Sequence, residues 1–195
     1  MATETVNHLV LERLRTLPLT WLSPSALVDF ILLAAAGKRA VRLHVQSATG
    51  LGHLSQWCRQ SGLDYASDDD NFASVSLEEG HASQVLALDR RAGAHELELG
   101  LALGYPVCCC ERIASIGEAN IDHYAAGIAQ WTFAGPYRRI NPVGYKSGLA
   151  LISHLPCSQE CRKSLTIAEH AREFVTTYRA ERLFCSLASS PLLEE

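Results

Sequence analysis

The sequence has little of what marks several protein classes. It has no excess of basic charge: 17 lysines and arginines stand against 21 acidic residues, for a formal net charge of −4. A dedicated nucleic-acid binder needs a basic face, so nucleic acid is not an expected partner. Only 19% of residues are charged and 48% are hydrophobic, the reverse of the composition that keeps a chain disordered. The longest apolar run, residues 27–37, is about half of what a membrane-crossing helix needs, so no membrane partner is expected. Residues 1–8 are polar and carry no basic stretch, so no secretory signal is expected. Internal repeats, low-complexity tracts and linkers are missing. So are the P-loop, G-x-S-x-G and H-E-x-x-H motifs and any C-x-x-C pair.

Cysteine is ordinary in amount and uneven in placement. The seven cysteines are Cys58, Cys108, Cys109, Cys110, Cys157, Cys161 and Cys185. Five of them crowd into residues 108–161, far more than even spreading would put there. An odd count without a secretory signal points to a reducing, cytoplasmic setting, where clustered cysteines bind metal or do thiol chemistry more often than they form disulfides.

The hydrophobic pattern predicts an amphipathic helix over residues 5–17. A second helix starts at Ser23-Pro24, an N-cap followed by proline, and stops at Gly37. Residues 39–46 alternate Val41, Leu43 and Val45 against Arg42, His44 and Gln46, a half-buried strand. A helix over 48–61 ends at Gly62. Short strands follow over 63–67 and 72–77, joined by the acidic turn 68–71. Beyond residue 80 the pattern is mainly helical: 81–90, a buried helix over 95–103, one long helix over 109–130, and a last helix over 158–178. A brief strand is expected over 149–153 and a frayed tail from 191. The expected class is α/β (α+β): a small mixed sheet in the strand-containing half (1–80) and a predominantly helical, Cys-rich half (81–190), within one domain spanning 1–195.

Two segments stand out: Gly104-Tyr105-Pro106-Val107-Cys108-Cys109-Cys110-Glu111 and His154-Leu155-Pro156-Cys157-Ser158-Gln159-Glu160-Cys161. Each leads from a proline through cysteine into a predicted helix. A cysteine at a helix start meets free backbone N–H groups and the positive end of the dipole, both of which favour thiolate. Cys157 and Cys161, four apart, would share a helix face. Cys108 and Cys109 diverge by about 100° on a helix, which assigns Cys109 to the inward stripe, Cys108 to the cap, and leaves Cys110 outside the site.

Gathered together, Cys108, Cys109, Cys157 and Cys161 are candidate metal ligands. Four sulfur ligands suit an iron–sulfur cluster, with [4Fe-4S] favoured, or zinc as the alternative. Cys108, His154 and Glu111 are the candidate catalytic groups, as free thiolate, proton donor or final ligand, and general acid–base respectively. Trp131, Arg138, Arg139 and Asn141, in an aromatic and basic loop, are candidates for holding a small, anionic, partly apolar substrate. Cys58 and Cys185, beside Trp57 and Phe184, read as core filling. His8, His81, His95 and His170 read as solvated, His44 lies on the polar side of its strand, and the face of His123 is open.

The pairing of Gly-Tyr-Pro-x-Cys-Cys with a downstream His-x-Pro-Cys-Ser segment and one more cysteine resembles a prokaryotic domain-of-unknown-function family. The matching residues are Gly104, Tyr105, Pro106, Cys108 and Cys109, then His154, Pro156, Cys157, Ser158 and Cys161; Trp131 and Asn141 extend the match. The resemblance spans residues 100–165. It implies that the two segments act together and brings no activity with it.

Three functions follow. The favoured one is an intracellular metalloenzyme whose thiolate-bound iron–sulfur or zinc centre acts on a small molecule in redox, lyase or sulfur-transfer chemistry. The second is a metal-free enzyme with Cys108 or Cys109 as nucleophile carrying an acyl, persulfide or disulfide intermediate that Cys157 resolves; a standing disulfide between the segments, such as Cys109 to Cys157, is not expected in a reducing compartment. The third is a non-catalytic module pinned by zinc. A homodimer or a partner protein is compatible with each.

Overall fold

The computed structural model describes residues 22–35, 37–91, 95–130, 140, 142–148 and 150–177. The predicted helix over 5–17, the loop residues Trp131, Arg138, Arg139 and Asn141, and Phe184, Cys185 and the tail from 191 lie outside the described residues.

Helix α1 (Pro24–Ala34) begins as its sequence dictates. The Ser23 hydroxyl accepts from the Ala26 N–H, and proline occupies the first turn, where its missing N–H costs nothing. The helix ends at Ala34, three residues before Gly37. It is buried nearly all round, because it stands between two cores. Strand β1 (Ala40–His44) follows, then α2 (Ala48–Ser61), which is capped by Ser47 and closed by Gly62 in the left-handed conformation.

Strands β2 (Asp64–Ser67) and β3 (Phe72–Ser76) form a hairpin. The acidic turn between them has a clear cause. Asp68 Oδ1 accepts from the N–H groups of Asp70 and Phe72 at 2.9 Å each, and Asn71 adopts the left-handed backbone that asparagine tolerates. The sheet order is β1-β3-β2. Both pairings are antiparallel, so the sheet is not mixed as expected. The β1-α2-β2 crossover does make β1 and β2 parallel, but β3 sits between them and no parallel pair forms. The α+β class stands.

One face of the sheet packs Val41, Leu43 and Val75 against α1 and α2, with Phe30, Leu33, Leu54 and Trp57 in the core. The other face meets α3 (His81–Asp89) and α4 (Glu96–Leu103). Helix α4 is less buried than expected, with Leu97 and Leu101 both 36% exposed. His81 is buried rather than solvated, its Nε2 2.7 Å from the Ala102 carbonyl oxygen. Gly104 (φ +89°) turns the chain against the sheet, where a Cβ would lie 2.6 Å from the Arg39 nitrogen.

The long helix predicted over 109–130 is two helices. α5 (Val107–Ile116) stops at Gly117 (φ 75°, ψ 153°), a 3-10 turn spans Glu118–Asn120, and α6 (Ile121–Ala129) follows. Glycine is the poorest non-proline helix former and the freest to take that backbone. A second 3-10 stretch covers Pro142–Ser147. Residues 150–153 are not a strand: Ala150, Leu151 and Ile152 are buried without pairing to the sheet. Helix α7 (Arg162–Thr177) begins four residues later than predicted. A second core joins Val28 and Leu32 of α1 to Cys109, Ile152, Cys161, Ala168 and Ala171. No helix among the described residues is long and apolar enough to cross a membrane.

Candidate metal centre

Helix α5 has Pro106 at its N-cap, and Cys108 and Cys109 lie in its first turn. Cys108 is therefore helical rather than in the cap. Adjacent thiols can still converge, because the second segment brings Cys161 between them: Cys161 Sγ is 3.8 Å from Cys108 Sγ and 3.6 Å from Cys109 Sγ. Cys157 completes the group, and all four sulfurs lie within 4.8 Å of one another.

The second segment differs from the shared helix face expected of Cys157 and Cys161. Residues 157–160 bend and turn, and Cys161 immediately precedes the first helical residue of α7. Its carbonyl accepts from the Leu165 N–H at 3.0 Å, and its sulfur accepts from the backbone N–H and the hydroxyl of Ser164. Cys161 thus occupies the position where serine or aspartate ordinarily caps a helix, with sulfur as acceptor. Tyr124 holds the segment from α6 by donating its hydroxyl to the Pro156 carbonyl at 2.7 Å.

The environments of the thiols differ. Burial pushes Cys109 well up, against the Ser164 hydroxyl and the Cys157 N–H. Burial and the hydrogen bonds to Cys161 and Cys108 push Cys157 up to about 11. Burial also acts on Cys161, but the Ser164 hydroxyl and N–H, with the neighbouring thiols, outweigh it and bring it to about 7. Without a metal, Cys161 is the first of these three to ionise.

His154 is buried, and its Nε2 lies 2.8 Å from Ser164 Oγ. Burial, with Lys38 behind it, lowers its pKa to about 3, so the ring is neutral. The Ser164 hydroxyl points at Cys161 across 3.2 Å. The imidazole then donates from Nε2 to Ser164 Oγ, and the chain His154–Ser164–Cys161 ends on sulfur. Tyr105 stacks on His154 with ring centroids 5.2 Å apart. Lys38 donates to the Tyr105 hydroxyl at 3.3 Å and to Asp29 at 2.7 Å, and Tyr145 donates to the other Asp29 oxygen at 2.6 Å.

Tyr105 stands in the first motif, though no role was expected of it; Ser164, Lys38 and Asp29 lie outside both motifs. Of these three only Ser164 carries a local signal, as a hydroxyl three residues beyond the cysteine that opens a helix. Glu111 is exposed on α5 and is not part of the cluster. Cys110 is not in the four-thiol group; it packs its sulfur 3.7 Å from the Tyr105 carbonyl oxygen, and burial with Cys108 nearby raises it to about 11. Cys58 fills the first core. The described cysteines are all free thiols, so Cys109 and Cys157 form no disulfide. His44, His123 and His170 are exposed. A cavity of about 270 Å³ runs between α4, α5 and residues 153–155, and reaches Cys109 and His154.

Comparison with protein-family models, curated proteins and solved structures finds no match to this chain.

Proposed function

We propose that the four thiols hold a single zinc ion, and that this ion fastens the start of α5 to the start of α7. The carrying observation is the spacing of the sulfurs. A tetrahedral ion with zinc–sulfur bonds of about 2.3 Å sets its sulfurs about 3.8 Å apart. The contacts of 3.6 and 3.8 Å, with every sulfur within 4.8 Å, match that edge. A [4Fe-4S] cube, favoured on residue type alone, places an iron between each thiol and the cluster centre and spreads its thiolates well beyond such a tetrahedron. Four protein ligands close the coordination shell, as structural zinc sites do.

The free thiols support a reducing, cytoplasmic setting, and the resemblance to a prokaryotic family rests on these same residues. Metal and sulfide analysis of protein purified without oxygen tests the reading. Colourless protein with one equivalent of zinc is the expected result. Brown protein containing iron and acid-labile sulfide, or protein free of metal, overturns it.

One observation favours thiol chemistry as a second reading: the lowered Cys161. In that reading the nucleophile is Cys161 rather than Cys108 or Cys109, and Ser164 holds its thiolate. Alkylation of the protein as purified, with mass mapping, separates the two: a zinc-bound Cys161 is shielded from the reagent, whereas a nucleophilic Cys161 reacts ahead of Cys109 and Cys157.

A further inference from the structure

We infer that the cavity between α4 and α5 is a binding site for a small organic molecule with an apolar body and no negative charge. Its walls are Leu99, Leu103, Ile113 and Leu155, and its inner end reaches Cys109 and His154. At about 270 Å³ it falls between a benzene-sized cavity of about 150 Å³ and the smaller drug-sized sites. That is room for roughly ten non-hydrogen atoms.

The charge around the cavity selects the ligand. Neither lysine nor arginine lines it. Lys38, behind Tyr105, is committed to Asp29 in a pair whose side chains are 2% exposed. Glu96 lines the cavity at the start of α4. Glu98, in the same first turn, is paired to Arg91 at 2.5 Å, whereas Glu96 makes no ion pair among the described residues. At the inner end, four thiolates around a divalent ion leave a net negative centre. An anionic ligand would meet negative charge at both ends in an apolar slot. A neutral or cationic one would not.

Ser153 also lines the cavity, and its buried hydroxyl has no hydrogen-bond partner. The anionic substrate expected from the sequence drew on Arg138 and Arg139, which lie outside the described residues, and this cavity selects the opposite way.

The inference rests on the zinc reading only for the charge at the inner end. The test uses three ligands of one shape, 2-phenylethanol, 2-phenylethylamine and 3-phenylpropionate, titrated by calorimetry into the full chain, with metal content measured on the same sample. The alcohol and the amine are expected to bind, and the carboxylate at least about tenfold more weakly. Ile113→Trp, which fills the cavity from a half-buried position, is expected to abolish binding while metal content stays unchanged. Glu96→Gln is expected to reduce the preference for the amine over the carboxylate. Zinc-loaded protein that binds none of the three, or binds the carboxylate as well as the alcohol, overturns the inference. So does an Ile113→Trp variant that binds as before. Zinc-free protein that still prefers the alcohol overturns the zinc reading and supports the cavity assignment.

Discussion

Ser164 donates its hydroxyl proton to the Cys161 sulfur across 3.2 Å, and both residues stand in the turn that opens α7. The same oxygen receives His154 at 2.8 Å, so one hydroxyl serves a thiolate and a buried imidazole together.

Ser164→Ala therefore removes the hydroxyl's contacts to Cys161, His154 and Cys109 and leaves His154 Nε2 unsatisfied in the interior. The expected cost is about 1–3 kcal/mol of stability. In metal-free protein the Cys161 thiol should rise from about 7 toward its ordinary value. Denaturant melts and ultraviolet titration of thiolate absorbance read the two effects separately.

Zinc uptake should release protons. Above neutral pH Cys161 is already ionised, while Cys109 and Cys157 still carry protons that metal binding must displace. Calorimetry at about pH 8 in buffers of different ionisation enthalpy should register both, and apparent affinity should climb steeply with pH. Binding without proton release would count against these assignments.

Acid should weaken the fold through His154. Its pKa is about 3 in the folded protein against 6.5 for an ordinary histidine. Above 6.5 neither state takes a proton and the group has no effect on stability. As the pH falls below that, only the unfolded chain is protonated, and stability drops by about 1.4 kcal/mol per unit until the folded pKa is reached. His154→Gln keeps a partner for Ser164 and does not titrate. The difference between wild type and variant, followed by chemical denaturation from pH 7 to 4, isolates the imidazole.

The cysteines should divide by place. Cys161→Ser removes the sulfur that lies between Cys108 and Cys109, and should bring bound metal well below one equivalent. Cys110→Ala should keep the full equivalent and cost about 1 kcal/mol in lost packing. Equal metal loss in both would refute the four-residue cluster.

Lys38→Met should be among the most damaging substitutions, at about 3–5 kcal/mol, because it strands the Asp29 carboxylate in the interior. Thermal melts would show it, and a loss within the range of a surface substitution would argue against the buried pair.

The first half of the fold was legible because its signals are local. Ser23, Gly62 and Asp68 act on their own neighbours, and β1 alternates along its own length. The breaks were harder. Gly117 can end a helix, but the apolar spacing runs on past it and hides the break, and Leu151 and Ile152 are apolar because they fill the second core, not because they pair with a sheet. That cysteines of two distant segments form one group was legible from their residue type and clustering. Their geometry was not, since a helix start at Cys161 rather than Ser158 depends on where Tyr124 holds the preceding carbonyl. Lys38 and Asp29 carry no motif, and only the fold places them behind Tyr105.

Helix α1 supplies Phe30 and Leu33 to the core beneath the sheet, and Val28 and Leu32 to the core around the cysteines. Helix α7 divides in the same way, with Phe174 and Val175 in the first core and Ala168 and Ala171 in the second. Neither core can loosen without uncovering a wall of the other, so the chain should behave as one cooperative folding unit. A chelator acting at two helix starts would then melt the distant hairpin as well.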